Sequence, residues 1–211
     1  MGIEIEAKFT IVDEGAFERL LALDRLPPYD LRALPTVAVV DRYYDTDGYD
    51  LLHAGYACRL RQEDGSALAS LKEMMGIVDG NVHRRREVEM PLPAPLEPND
   101  WPDGPARELA RALSRGQPLQ PLFELRQTRA RRQVEQGERI VALVSLDRVA
   151  LLVGSRQTNW LEIEIELAEE GTEDDLRSLC ACLLAHFPLQ AQPQSKFERA
   201  LHWRAEGTIA P

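Results

Sequence analysis

The sequence predicts an α+β protein: an eight-stranded antiparallel β-barrel, closed or nearly closed on itself, with flanking helices. Three observations predict it. Short segments in which polar and apolar residues alternate recur along most of the chain, with turn residues between them. Eight such segments occur, about the number that a small closed barrel uses. Interspersed helical stretches each carry one apolar stripe, and such a stripe needs a sheet surface to cover.

Strands are expected over residues 2–11, 36–46, 55–63, 66–73, 83–92, 123–135, 139–148 and 159–168. The first contains Ile3-Glu4-Ile5-Glu6-Ala7-Lys8-Phe9 and the last Leu161-Glu162-Ile163-Glu164-Ile165-Glu166-Leu167. Both alternate charge with apolar side chains at period two, so each buries one face and gathers carboxylates on the other. Asp64-Gly65 and Gln136-Gly137 read as hairpin turns. A helix over 13–24 starts after an Asp13 cap and sets Phe17, Leu20 and Leu21 on one side; a shorter one over 105–114 has Pro105 at its first position. The helix over 172–186 begins at Thr172, carries Glu173, Asp174 and Asp175 in its first turn, and continues with Leu176, Leu179, Leu183 and Leu184. A last short helix covers 194–203. The Pro-rich span from Met90 to Pro105 reads as an excursion within one domain. Residues 1–205 are therefore expected to form a single domain and 206–211 a C-terminal tail.

A chain of 211 residues can bury a real core. Its net charge of −10 argues against nucleic acid as a partner, which would call for a basic footprint. Arginines nevertheless cluster at Arg59-Leu60-Arg61, Arg84-Arg85-Arg86 and Arg129-Ala130-Arg131-Arg132, so an acidic protein can still carry a basic cleft. Cys58, Cys180 and Cys182 make neither a metal finger nor a disulfide framework, and the four histidines show no metal-ligand spacing, which argues against zinc. Glu4, Glu6 and Lys8 exclude a secretory signal, and no apolar run could span a bilayer as a helix. The expectation is a cytoplasmic protein without a membrane partner.

Charges take one side of most strands. Arg59, Arg61 and Glu63 oppose Cys58 and Leu60; Ser70 and Lys72 oppose Leu71; Arg85, Glu87 and Glu89 oppose Val88 and Met90; Gln127, Arg129, Arg131 and Gln133 share a face; Asp147 ends another strand. The ordinary soluble sheet would leave these charges in water and bury the apolar face inside. Three observations favour a charged interior instead. Amphipathic flanking helices imply an apolar outer surface. Glu follows Glu and Arg follows Arg at i, i+2, and such stacks repel unless a ligand neutralises them. The chain also holds both parts of a polyphosphate site, Arg and Lys donors for phosphate and hard carboxylate oxygens for its cation.

At this point Glu4-Ile5-Glu6-Ala7-Lys8 resembles the ExExK signature of the CYTH superfamily, also called triphosphate tunnel metalloenzymes. Further matches follow in the family's order: Tyr43-Tyr44-Asp45-Thr46, Arg59-Leu60-Arg61, Lys72, Arg85 with Glu87 and Glu89, Arg129 with Arg131, Asp147, Glu162-Ile163-Glu164-Ile165-Glu166, and Ser195-Lys196 with Arg199. The resemblance implies an eight-stranded tunnel filled with acidic and basic side chains that binds triphosphate compounds with Mg2+ or Mn2+. It implies that Glu4, Glu6, Glu162 and Glu164, with Glu87 and Asp147, hold the divalent cation. It implies further that Lys8, Arg59, Arg61, Lys72, Arg129, Arg131 and Lys196, helped by Arg85 and Arg199, grip the phosphates. Glu4, Glu6, Lys8 and Lys72 form the expected catalytic centre. Chemistry there is positioning and charge, with no covalent nucleophile.

Several nearby residues have plainer readings. Tyr43 and Tyr44 fit packing, Asp45 a turn cap, Glu166 a solvated strand end, and Arg84, Arg86 and Arg132 the outer surface. The resemblance implies hydrolysis of inorganic triphosphate to pyrophosphate and phosphate. Thiamine or nucleoside triphosphate as the organic substrate, a class IV adenylyl cyclase, and a polyphosphate-binding module without turnover stand as alternatives. A homodimer follows from family analogy alone.

Overall fold

The structure, a computed structural model, describes residues 2–74, 77–79 and 82–206, with 77–79 described by their backbone. Strand β1 (Gly2–Ile11) sits between β8 (Val82–Leu92) and β11 (Arg156–Leu167), both antiparallel to it. From β8 the sheet runs through β6 (Ser66–Glu73), β5 (Tyr56–Glu63) and β4 (Val37–Asp45) to β9 (Gln120–Gln136), and then through β10 (Arg139–Val153) back to β11. The β9–β10 and β1–β11 pairings complete a closed eight-stranded antiparallel barrel. Four short strands extend it: β2 (Arg25–Leu26) and β3 (Tyr29–Ala33) beyond β9, β7 (Ile77–Asp79) beside β8, and β12 (Leu189–Ala191) beside β1.

The helices are α1 (Glu14–Leu21), α2 (Asp50–His53), α3 (Pro105–Leu113), α4 (Glu173–His186) and α5 (Lys196–Glu206). Their first turns follow the expected chemistry. The Asp13 carboxylate accepts from Ala16 N at 2.7 Å. Thr172 and Asp175 cap each other reciprocally, and Pro105 opens α3. Helices α1 and α4 cover outward Ala7, Phe9 and Ile11 of β1 with Phe17, Leu20, Leu176, Leu179 and Leu183. Helix α3 with Trp101 covers Leu60, Leu71, Val88 and Met90. The barrel is thus inverted relative to the ordinary soluble one. Its outer surface is apolar and buried, which leaves the interior for charge.

A third apolar cluster plugs one end of the interior. Inward Tyr43, Phe123, Leu125, Val149, Leu151 and Trp160 pack against Phe197 and Ala200 of α5. The rings of Tyr43, Phe123 and Phe197 stand 5.2 to 5.7 Å apart and tilted.

All eight expected strands are present, with three informative differences. Strands β10 and β11 continue to a turn at Gly154-Ser155, well past the expected end at 148. The run Val149-Ala150-Leu151-Leu152-Val153 is apolar on both faces because its inward side belongs to the plug, so alternation was lost there. The β9–β10 turn is made by Gly137 and Glu138, with Gln136 paired to Arg139. Helix α1 ends at Leu21, short of the expected 24, and a β2–β3 hairpin from Arg25 follows where no strand was expected. The Asp64-Gly65 turn is as expected, with φ of 46° and 78°. Of the expected tail 206–211, residues 207–211 lie outside the described residues.

Candidate active site

Inward side chains of all eight barrel strands, with Ser195, Lys196 and Phe197 from the start of α5, enclose a cavity of about 250 Å3. Among the described residues eight cations line it: Lys8, Arg59, Arg61, Lys72, Arg85, Arg129, Arg131 and Lys196. Eight carboxylates line it too: Glu4, Glu6, Glu63, Glu73, Glu87, Glu89, Glu164 and Glu166. Strand register brings them together. Lys8 lies across the ladder from Glu164, and Glu6 from Glu166. Helix α5 delivers Lys196 because Ser195 and Glu198 cap its first turn. Ser195 N donates to Glu198 Oε2 at 2.7 Å, and Glu198 N to Ser195 Oγ at 3.2 Å.

Glu6 and Lys8 anchor the acidic wall. Glu6 Oε1 lies 3.1 Å from Lys8 Nζ, 3.5 Å from Lys72 Nζ and 3.0 Å from Arg85 Nη2. Burial opposes its charge, but Lys72 and Lys8 outweigh it and hold the carboxyl at about 2. Lys8, equally buried, is raised because Glu164 and Glu6 overcome its desolvation. Lys72 contacts Glu4 directly, yet burial and the neighbouring Glu6 push the Glu4 carboxyl up. Arg85 is 2% exposed, and among the described residues its Nε has no hydrogen-bond partner. On the other wall Arg59 donates to Ser70 Oγ at 3.1 Å and Glu87 Oε1 at 3.3 Å, and Arg131 lies 3.0 Å from Glu63.

Three expected residues do not line the cavity. Asp147 and Glu162 are 0% exposed. Asp147 accepts from Arg129 Nε at 2.8 Å and Nη2 at 2.6 Å, and Lys196 Nζ lies 3.0 Å away. Glu162 accepts from Trp160 Nε1 at 3.0 Å and lies 2.9 Å from Lys196. Both are enclosed by cations and an indole N–H, where the sequence suggested an open metal face. Arg199 lies over the Trp160 ring, 4.5 Å from its centroid, on the plug side. The other twelve expected residues all line the cavity.

The plainer readings divide as well. Arg84 pairs with Glu173 on the outside and Arg132 reaches the Leu21 carbonyl. Asp45 is buried and accepts from the backbone N–H of Thr46, Leu51 and Leu52 at 2.7 to 3.0 Å, so it ties α2 to β4. Glu166 is a solvated strand end, as expected, with one addition. It is exposed overall but lines the cavity mouth, where partial desolvation and the charges of Glu4 and Glu6 push its carboxyl up to about 7. Among the described residues it has no ion-pair partner. Asp41 was missed altogether. It is 0% exposed beneath Arg59 and Arg61, and the alternation of Asp41 with Tyr43 on β4 was the signal for it.

These donors fit a hard divalent cation in kind. Glu4, Glu6, Glu164 and Glu166 supply carboxylate oxygens whose mutual repulsion a cation would relieve. Among the described residues no three of the His, Cys, Asp and Glu side chains are arranged to hold a metal by themselves. The physical reason is that Glu4, Glu6 and Glu164 are each engaged by lysine or arginine. A cation bound there would take the place of those partners. No helix among the described residues is long and apolar enough to cross a membrane.

Known proteins share this architecture. An adenylyl cyclase candidate from Hippeastrum, described as revealing a dominant triphosphatase activity, is similar with a TM-score of 0.71 and 21% identity over 99% of this chain and 98% of that one. An adenylate cyclase candidate from Bacillus halodurans matches with a TM-score of 0.61 and 20% identity over 94% and 98% of the two chains. The PH1819 protein of Pyrococcus horikoshii OT3 matches with 0.61 and 18% over 94% and 99%. No curated protein matches the chain. The CYTH domain profile covers residues 2–201, almost the whole of the barrel and its plug, and with the closed fold and its charged interior it establishes that this chain belongs to the CYTH domain family.

Proposed function

We propose that the chain is a divalent-metal-dependent triphosphatase that cleaves inorganic triphosphate to pyrophosphate and phosphate inside the barrel. The observation that carries the reading is the matched interior, eight cations and eight carboxylates around one cavity. A cation array of this density suits a polyanion with several phosphoryl groups, and the carboxylates suit its metal. When bound, Mg2+ or Mn2+ neutralises phosphate oxygens and activates the attacking water. Glu4, Glu6, Glu164 and Glu166 would hold it, with Glu87 on the neighbouring strand β8. Lys8, Lys72, Arg59, Arg85 and Arg131 exchange their glutamate partners for phosphate oxygens as substrate enters. Arg61, Arg129 and Lys196 complete the grip and absorb charge as pyrophosphate departs.

The cavity's size and lining favour the inorganic substrate over an organic one. About 250 Å3 lies below the ~300–1,000 Å3 usual for drug-sized ligands. Of its aromatic lining residues, Tyr43 and Phe197 already pack against each other and Phe123 in the plug, so neither offers a free face to a base. An organic group would hang outside the mouth. The test is metal-dependent product analysis by phosphorus NMR with inorganic triphosphate, ATP and thiamine triphosphate offered separately. Phosphate and pyrophosphate formed fastest from inorganic triphosphate, and abolished by chelator, are the expected result. Cyclic AMP from ATP would make the chain a cyclase, and binding without turnover would make it a polyphosphate-binding module.

A further inference from the structure

Two buried aspartates treat the arginines above them differently from every glutamate in the cavity. Arg61 Nε and Nη2 donate to the two oxygens of Asp41, both at 2.8 Å. Gln127 Nε2 donates to Asp41 Oδ2 at 2.7 Å, and Arg59 Nη1 lies 3.8 Å from it. On the other side of β9, Asp147 holds Arg129 through the same two nitrogens and also neighbours Lys196. Neither aspartate lines the cavity, and both are 0% exposed, so each sits behind the arginine it holds. The Arg59, Lys72 and Arg131 partners Glu87, Glu4 and Glu63 do line it, and those pairs can open when phosphate or cation arrives.

The geometry leaves Arg61 its Nη1–Nη2 edge and Arg129 its Nη1, because Arg129 Nη2 also donates to the cavity-lining Glu164 at 2.9 Å. A bidentate pair uses the Nε–Nη2 side of the guanidinium and fixes its plane. Among the described residues no hydrogen bond engages Nη1 of either arginine. We propose that Asp41 and Asp147 are positioning residues that clamp Arg61 and Arg129 before substrate arrives, so that each presents its remaining N–H donors to the triphosphate in a preset orientation. This rests on the triphosphate reading of the cavity. Asp147 thereby acts through Arg129, with Lys196 beside it. The aspartates stay ionised in this setting, since the adjoining arginines outweigh burial and lower both carboxyls. The advantage is entropic. A long side chain that is already fixed loses little freedom on binding, and immobilising one typically costs the equivalent of a few-fold to about tenfold in affinity.

Positioning and simple charge balance predict opposite signs, which makes the proposal testable. Asp41→Asn removes one negative charge beneath the cavity, and if Asp41 only damped positive charge, inorganic triphosphate would bind more tightly. If it clamps Arg61, calorimetry on the full chain in chelator should show dissociation constants raised about five- to tenfold. The loss should vanish in an Arg61→Lys background, where no bidentate edge remains to be set; additive effects would mean a merely structural role. Asp147→Asn with Arg129→Lys repeats the cycle should Asp41→Asn not fold. It should also leave the metal concentration for half-maximal turnover unchanged, whereas a rise would make Asp147 a ligand. Nitrogen-15 spectra supply a readout that needs no substrate. Arg61 and Arg129 should give slowly exchanging Nε–H signals, each lost with its aspartate, and their absence in the unaltered protein would overturn the proposal. Protected signals in a protein that neither binds nor cleaves triphosphate would instead sink the triphosphate reading and leave the clamped arginines standing.

Discussion

Replacing Lys196 with methionine keeps most of the side-chain volume and deletes one buried charge, and the structure gives the consequence a size. Its Nζ lies 3.0 Å from Asp147, 2.9 Å from Glu162 and 2.8 Å from Glu164, and the side chain is 4% exposed. Removing one partner from a buried ion pair costs about 3–5 kcal/mol because the other charge is left uncompensated. Asp147 and Glu164 keep Arg129, so the stranded charge is mainly that of Glu162, and one such cost is the right total. Unfolding entropy of about 2.1 cal/mol/K per residue gives about 0.44 kcal/mol/K for 211 residues, so the melting temperature should fall by about 7–11 °C. The loss should depend on pH. Burial already raises the Glu162 carboxyl, and without Lys196 it rises further. Above about pH 4.5 the native variant then binds a proton that the unfolded chain does not, so its stability increases as pH falls through the raised native value toward 4.5. Asp147 and Glu164, both lowered, contribute stability that is lost only at more acid pH. Urea unfolding of both proteins at several pH values measures this. A deficit under about 1 kcal/mol, or one constant from pH 8 to 5, would refute the reasoning, as would Glu162→Gln failing to restore part of the loss in the Lys196→Met background.

Three further outcomes follow from the site and its frame. Glu6→Gln should lower turnover by about a hundredfold or more while changing phosphate affinity far less, and undiminished steady-state activity would remove Glu6 from the metal side. Glu166 titrates near 7, so between about pH 4.5 and 7 the native state holds a proton that the unfolded chain lacks and stability falls as pH rises. Glu166→Gln should therefore raise the urea midpoint at pH 8 and leave it unchanged at pH 5; equal midpoints at both would show that Glu166 is not perturbed. Gly171→Ala should cost about 1–3 kcal/mol, since the added Cβ would stand 2.0 Å from the Val141 carbonyl oxygen, and a variant as stable as the parent chain would show that this turn can relax.

The barrel was legible in the sequence because its inverted layering produces clean alternation. Wherever one face meets helices and the other meets charge, as along Ile3–Phe9 or Leu161–Leu167, period two stands out. Where both faces are apolar it fails, and Val149–Val153 was lost for that reason. Counting strand faces brought most expected side chains to one cavity, because a single alternation sets every inward residue. What it could not give was depth along the barrel axis. Asp147 and Glu162 share the parity of Glu164 but sit a step deeper, below Lys196 and Arg129, while Glu166 sits a step shallower at the mouth. Depth depends on the stagger of neighbouring strands and on the plug from α5, and both are long-range properties.

The place of β1 has a consequence for how the molecule is made. It precedes every other strand in sequence, yet its ladder partners begin at residues 82 and 156, so no nearby segment can pair with it. A nascent chain can build the β5–β6, β9–β10 and β10–β11 hairpins as they emerge, each from neighbouring residues. Its earliest strand must wait for β8 to gain a first partner and for β11 to close the barrel. Pairings of such long sequence separation make folding slow, on the order of milliseconds to seconds. The wall bearing Glu4, Glu6 and Lys8 therefore gains its second neighbour only when β11 has been made, and no shorter ribosome-bound intermediate can display a complete cavity.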